Sequence, residues 1–283
     1  MDKKELYQNH GNHIEAIMPT SEFMQNHLHP VIKNSKVFKR IRTEVFADEL
    51  DNQLTDVVSL KSGDDSMCML TLLAYSPKRD TNLFISMYPE LTGKIVRATI
   101  KEVFEWDNQL EATIVCCVGD FEFAFFPTDY YANKKSYFVG DTLSLEMSAL
   151  GCKVEEAERG FSLEGQQAVD WLAKLGEKPT FDENGNVEPV CFNTEKLVAY
   201  INHDSKCPDE GEFQSPATDI ESTSLLGVDF YKSSITIHKD EDDEGNIVEL
   251  PLYFRKDFVP NIKEKDPIRG WLWIIGKMAE NSD

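Results

Sequence analysis

Gly119-Asp120-Phe121-Glu122-Phe123-Ala124-Phe125-Phe126 reads as a tight turn running into a strand, and residues 110–118 before it read as another strand. The neighbouring sequence extends this hairpin on both sides. Upstream, residues 94–106 are rich in Ile, Val and Thr. Arg97, Thr99 and Lys101 alternate there with Val96, Ala98 and Ile100, and Phe104 and Trp106 continue the apolar side. Ile95 and Glu102 interrupt the period of two. Asp107-Asn108 supplies the next turn, and downstream Gly140-Asp141 introduces a fourth strand over residues 142–150. Short strands punctuated by turns predict a small barrel or sandwich over residues 93–155.

Further upstream, residues 56–60 and 67–75 are strand-like and flank Lys61-Ser62-Gly63-Asp64-Asp65, a second hairpin signature. Residues 1 to about 45 are polar and mixed, with a short helix expected to start at Ser21. Past residue 160 the pattern turns helical. Ser162 is placed to cap a helix carrying Ala168, Trp171, Leu172 and Leu175 on one face and ending at Gly176. Asp182-Glu183-Asn184-Gly185-Asn186 is a hairpin-type turn. Asn193 or Thr194 begins a second expected helix grouping Leu197, Tyr200 and Ile201, and residues 203–211 read as a linker.

From Phe213 the β pattern returns in a form that echoes the first. Phe125-Phe126-Pro127-Thr128-Asp129-Tyr130 resembles Tyr253-Phe254-Arg255-Lys256-Asp257-Phe258, and each precedes a polar stretch and an aspartate, Asp141 or Asp266. From those aspartates Leu143 matches Ile268, Met147 matches Leu272, Leu150 matches Ile275 and Gly151 matches Gly276 without gaps. Residues 110–118 correspond loosely to 228–238. The expected fold is α+β, mainly β, with two modules related by an internal repeat and a short helical insertion between them. The division is an N-terminal region with a hairpin (1–92), a first module (93–160), a helical connector (161–211) and a second module (212–283). The layout of each module, a long first strand, a hairpin, a connection and a last strand ending in glycine, resembles the OB-type small barrel. That likeness is architectural and implies no particular activity.

Asp and Glu outnumber Lys and Arg by 50 to 29, for a net charge of -21. Such a chain is poorly suited to phosphate backbones and anionic membranes; the charge suits simple solubility first, and otherwise a basic partner. The first residues lack the apolar run of a secretory signal, and no apolar stretch is long enough to span a bilayer. The six cysteines show no CxxC spacing. Four of them, Cys68, Cys116, Cys117 and Cys152, lie in or beside apolar strand-like segments and read as small core residues in a reducing compartment, so a cytoplasmic location is expected.

Candidate chemistry is sparse. His10, His13, His27 and His29 carry His-x-x-His and His-x-His spacings, but without a cysteine or a clear helix to present them they read as exposed polar residues. Asp240-Glu241-Asp242-Asp243-Glu244-Gly245-Asn246 begins like a calcium loop, yet Pro251 stands where a bidentate Glu is required, so a hairpin turn is expected. Cys207 lies near His203 and Asp204 in sequence only. Glu155 and Glu156 read as a solvated face. Phe121, Phe123 and Phe125 make one strand face aromatic, and Trp271 and Trp273 share a side, both better suited to a core than to base stacking.

The leading expectation is therefore a non-enzymatic binding protein of accessory, inhibitor or immunity type. Its partner is another protein, engaged through Asp240, Asp242, Asp243 and Glu244. The alternative is single-stranded nucleic acid binding through Arg255, Lys256, Trp271 and Trp273, which requires exposed tryptophans beside grouped basic residues. A third reading is an enzyme whose site is assembled from distant residues. No cofactor, metal or catalytic residue is assigned, and no membrane association is expected.

Overall fold

A computed structural model describes residues 8, 10, 13–43, 45–47, 52–64, 66–202, 206–240 and 247–279. The chain is mainly β, 57% strand and 14% helix. Its N-terminal part winds through a 3-10 turn (Ile14–Ala16), α1 (Thr20–Glu22), a π-helical turn (Phe23–His27) and α2 (Leu28–Asn34). The helical stretch thus opens one residue before Ser21. An antiparallel sheet follows, ordered β1 (Lys36–Ile41), β3 (Asn52–Gly63), β4 (Met67–Ser76), β5 (Thr81–Leu91), with β2 (Val45–Ala47) also on β3. The expected upstream hairpin is β3–β4, with Val58 opposite Leu73 and Leu60 opposite Thr71. The Asp64 carboxylate accepts from the Ser66 and Met67 amides, closing the turn.

The stretch that opened the sequence reading forms β6 (Lys94–Glu105), β7 (Ala112–Val118) and β8 (Phe121–Pro127), followed by the short α3 (Tyr130–Asn133) and the long β9 (Thr142–Glu156). These four strands close into a five-stranded barrel only with a strand from the far end of the chain, β17 (Pro267–Met278). Around the barrel the order is β6-β7-β8-β17-β9 and back to β6. β17 lies parallel to β8, with Ile275 opposite Phe126, and antiparallel to β9, with Ala149 opposite Ile274.

Between β9 and β17 the chain forms the small pair β10 (Gly160–Leu163) and β11 (Val190–Asn193), with α4 (Gly165–Lys174) between them, and then β12 (Ala199–Asn202). It continues through β13 (Glu210–Pro216), β14 (Thr218–Leu225), β15 (Val228–Lys239) and β16 (Ile247–Arg255). β13 runs through Ala217 into β14. β13 pairs with β17, β14 with β15, β15 with β16, and β16 lies parallel to β9, with Leu252 opposite Ala149.

This arrangement explains the continuous apolar runs. Phe123 and Phe125 of β8, and Leu272 and Ile274 of β17, join a core shared with Ile235, Leu250, Leu252 and Phe254. Phe126, Trp273 and Ile275 point the other way, into a second core with Met67, Met69, Leu72, Tyr88 and the N-terminal Ile17 and Phe23. Strands buried on both faces lose the polar alternation of a half-exposed strand. Phe121 is only partly buried at the end of the row.

Three local expectations are corrected. Residues 193–201 form no helix: a turn leads into β12, where Tyr200 and Ile201 lie opposite Phe213 and Glu212. Three apolar residues are too few for a helical period, and pairing with β13 decides the outcome. Ser162 lies in β10, so the helix starts later, at Gly165, with Glu164 at its cap position. Of its expected apolar face only Ala168 is buried, while Trp171 and Leu175 are exposed. The supposed linker turns into β13 at Glu210, and its Asp209 and Glu210 are buried. Asp182–Asn186 does form the expected turn, bracketed by a bridge between Phe181 and Val187.

Candidate functional site

Two features concentrate chemistry. The first is a buried polar seam where the N-terminal segment meets the two β regions. His10 and His13 are both buried, correcting the expectation of exposed polar residues. His10 Nε2 lies 2.9 Å from Glu111 Oε1 and His13 Nε2 lies 3.0 Å from Glu210 Oε1, while their Nδ1 atoms face each other at 3.4 Å. Glu111 also accepts from Ser86 Oγ and Asn108 Nδ2, and Glu210 accepts from Trp271 Nε1. Trp273 Nε1 donates to Asp209 at 2.8 Å and its ring stacks on His13 at 3.7 Å. Burial pushes the His13 imidazole below the ordinary histidine range, against the raising effect of the Glu210 contact. Burial also pushes the Asp209 carboxyl up, against His13 and the Trp273 bond. Among the described residues no group of three or more His, Cys, Asp or Glu side chains is arranged to hold a metal ion.

The second feature is the lobe of residues 157–202. Phe161 and Phe192 stack at 4.7 Å across the β10–β11 pair, and Trp171 of α4 meets Phe192 edge-on at 5.4 Å. This aromatic cluster is open to solvent: Phe161 is 51% exposed and Trp171 39%. Leu175, Phe181, Leu197 and Ile201 are exposed in the same lobe. It carries eight acidic residues against four basic ones. Arg159 ties it to the barrel through Asp266, and Gln214 donates to the Thr194 carbonyl. Beside it lies an open cavity of about 410 Å³ whose lining includes Ile201, Trp271, Lys153, Glu155, Glu212 and Arg269. The lobe can bury aromatic surface against a partner and attract positive charge.

The chain matches no protein family, no curated protein and no solved structure.

The residues singled out in the sequence are dispersed. Asp240 is half-buried at the end of β15, and Asp242, Asp243 and Glu244 lie outside the described residues. His203 and Asp204 also lie outside them. Arg255 pairs with Asp257, holding that carboxyl below its usual range, and the Lys256 ammonium lies 5.1 Å from the centre of the Tyr231 ring. Trp273 is fully buried and Trp271 half-buried, with both indoles committed to carboxylates. Glu155 and Glu156 are exposed, and Glu155 pairs with Arg269. Sequence reading missed Glu111, Asp209 and Glu210. Their only signal was a carboxylate inside a strand-like stretch and two within an assumed linker.

Among the described residues all six cysteines are free thiols. Burial raises the Cys68 thiol to about 11 and also pushes the Cys116 and Cys152 thiols well above the ordinary thiol range. A thiol reagent at neutral pH is expected to modify the exposed Cys191 first, and the buried Cys68, Cys116 and Cys117 only after unfolding. Mass spectrometry of timed samples checks this; early labelling of Cys116 would contradict its burial.

Proposed function

We propose that this is a non-enzymatic binding protein whose ligand is another protein, basic in charge, docked on the lobe of residues 157–202. The observation that carries the reading is the open aromatic cluster Phe161, Phe192 and Trp171 on an acidic lobe. Exposed aromatic side chains at fixed positions are the usual anchors of protein interfaces, where Trp truncation often costs about 2 kcal/mol or more. The surrounding carboxylates favour a positively charged partner and speed its approach.

The test begins with the folded protein as bait in nuclease-treated extract of its native cell. The captured protein is then purified and titrated against the wild type and the double variant F161A/W171A. Affinity is expected to weaken about 30-fold or more in the variant, with an unchanged circular dichroism spectrum and binding that weakens as salt rises. Equal affinity in the variant would remove the lobe from the reading. Salt-sensitive binding of a labelled mixed-sequence single strand by the purified protein would favour the stacking alternative.

We infer further that the chain contains two OB-type barrels derived from one duplicated module, with their last strands exchanged. Several observations support this. β13 and β14, taken as one bent strand, join β15, β16, β9 and β17 in the same cyclic order as β6, β7, β8, β17 and β9. In each ring the third strand lies parallel to a strand contributed by the other half. The register matching Leu150 to Ile275 also makes Ala149 equivalent to Ile274, and those two residues are direct partners across β9 and β17. The matched glycines behave alike. Gly151 abuts Phe254 of β16 and Gly276 abuts Phe125 of β8, at points where a side chain would crowd the neighbouring strand.

A further inference from the structure

We propose that the contacts Glu111–His10–His13–Glu210 hold one proton beyond the count of two neutral imidazoles and two carboxylates, making the N-terminal segment a pH-gated clasp. Three contacts and the donors available for them carry it. Three polar contacts link four side chains in a row, at 2.9, 3.4 and 3.0 Å. Each needs a hydrogen between its heavy atoms, and two neutral imidazoles bring only two. With two protons, one contact would set lone pair against lone pair in a buried site. With four, two N–H groups would collide there. Three is the count that satisfies every contact, whichever atom carries the third.

The clasp joins distant parts of the chain. His10 reaches the turn between β6 and β7 through Glu111, and Gln8 accepts from the Asp107 amide in the same turn. His13 reaches the start of β13 through Glu210. Among the described residues the titratable and charged groups facing the pair are Glu111, Glu210 and Asp209, with Tyr88 of β5 at 5.2 Å from the His10 ring. The Cys152 thiol of β9 lies in the field of Glu210 at the start of β13 and of Asp209 just before it. The remaining walls, Trp106, Phe126 and Trp273, are aromatic and carry no charge.

The sign follows from proton linkage. In the unfolded chain both histidines are neutral well above pH ~6.5 and both are charged well below it. The folded clasp holds one extra proton across that range. Above ~6.5 it binds more protons than the unfolded chain, so stability falls as pH rises, until that proton leaves. Below ~6.5 the unfolded chain binds more, so stability falls as pH drops. Each limb approaches a tenfold change in the unfolding constant per pH unit.

The test is urea unfolding from pH 5 to 8, below the range in which the buried thiols contribute, of the wild type, His10→Asn, His13→Asn and the exposed-residue control His29→Asn, each with a chelator and again with equimolar zinc. The wild type and the control are expected to be most stable near pH 6.5 and to lose stability on both sides. In His10→Asn and His13→Asn the alkaline limb should vanish, because no extra proton is held, whereas a merely structural loss would lower stability equally at every pH. Should either variant fail to fold, the wild-type profile decides: absence of its alkaline limb overturns the clasp. A zinc-dependent shift seen in the wild type and lost in His13→Asn would also overturn it, placing a metal ion between the rings.

Discussion

A chain ending at Asp266 is expected to be unfolded throughout, not merely shortened at its end. The missing strand, β17, is the fifth stave of the barrel and also pairs with β13. Its loss removes Ile268, Leu272 and Ile274 from one core and Trp273 and Ile275 from the other, all of them fully buried or nearly so. At about 2 kcal/mol for each buried side chain the loss is roughly 10 kcal/mol, the size of a typical domain's whole stability. β8 and β9 would also be left with unpaired edges. The measurement is near-ultraviolet circular dichroism with a thermal scan, using a chain ending at Ala279 as control. A truncated chain that keeps a cooperative transition near the control's temperature would show that residues 93–156 fold without β17.

Gly270→Ala is the single substitution expected to cost most. Gly270 sits in β17 opposite Val154 at φ +157°, next to a bulge in the β9–β17 register. A Cβ built there lies 1.9 Å from the carbonyl oxygen of Lys153. That oxygen belongs to the backbone of β9, which is paired with β17 at this point, so it cannot swing away as the end of a flexible side chain would. Overpacking together with the unfavourable φ should cost at least about 3 kcal/mol. Gly227→Ala provides the comparison. Gly227 has φ +82° in a turn with open space around it, so only conformational strain of about 1 kcal/mol applies. Urea midpoints of the two variants should differ widely. Equal midpoints would mean that β9 and β17 are not held so closely at this point.

Much of the strand structure was legible along the chain. The hairpin of β7 and β8 was announced by Gly119-Asp120, the β3–β4 hairpin by Gly63-Asp64, and the start of β9 by Gly140-Asp141. Those signals work because turn chemistry and side-chain alternation act over a few residues. The same locality misled at residues 193–201, where Leu197, Tyr200 and Ile201 fit a helical spacing but the edge of β13 offered a better partner.

The candidate sites were less visible. The exposure of Trp171 runs against its apolar character, since an amphipathic pattern shows which residues share a helix face but not whether anything covers that face. His10 and His13 looked like polar residues in a polar stretch, and Asp209 and Glu210 like part of a linker. Their burial depends on partners about a hundred or more positions away, Glu111 for His10 and Glu210 for His13. By itself, then, the chain's order of residues determined which segments are strands, where they turn and that the surface is strongly acidic. Only the tertiary structure decided that β17 closes a barrel begun at β6, that β8 and β17 are covered on both faces, and that two imidazoles meet two carboxylates in the interior. Strand formation is driven by neighbours along the chain. Pairing and burial are driven by apolar surface and hydrogen-bonding groups that meet only after the chain has closed on itself.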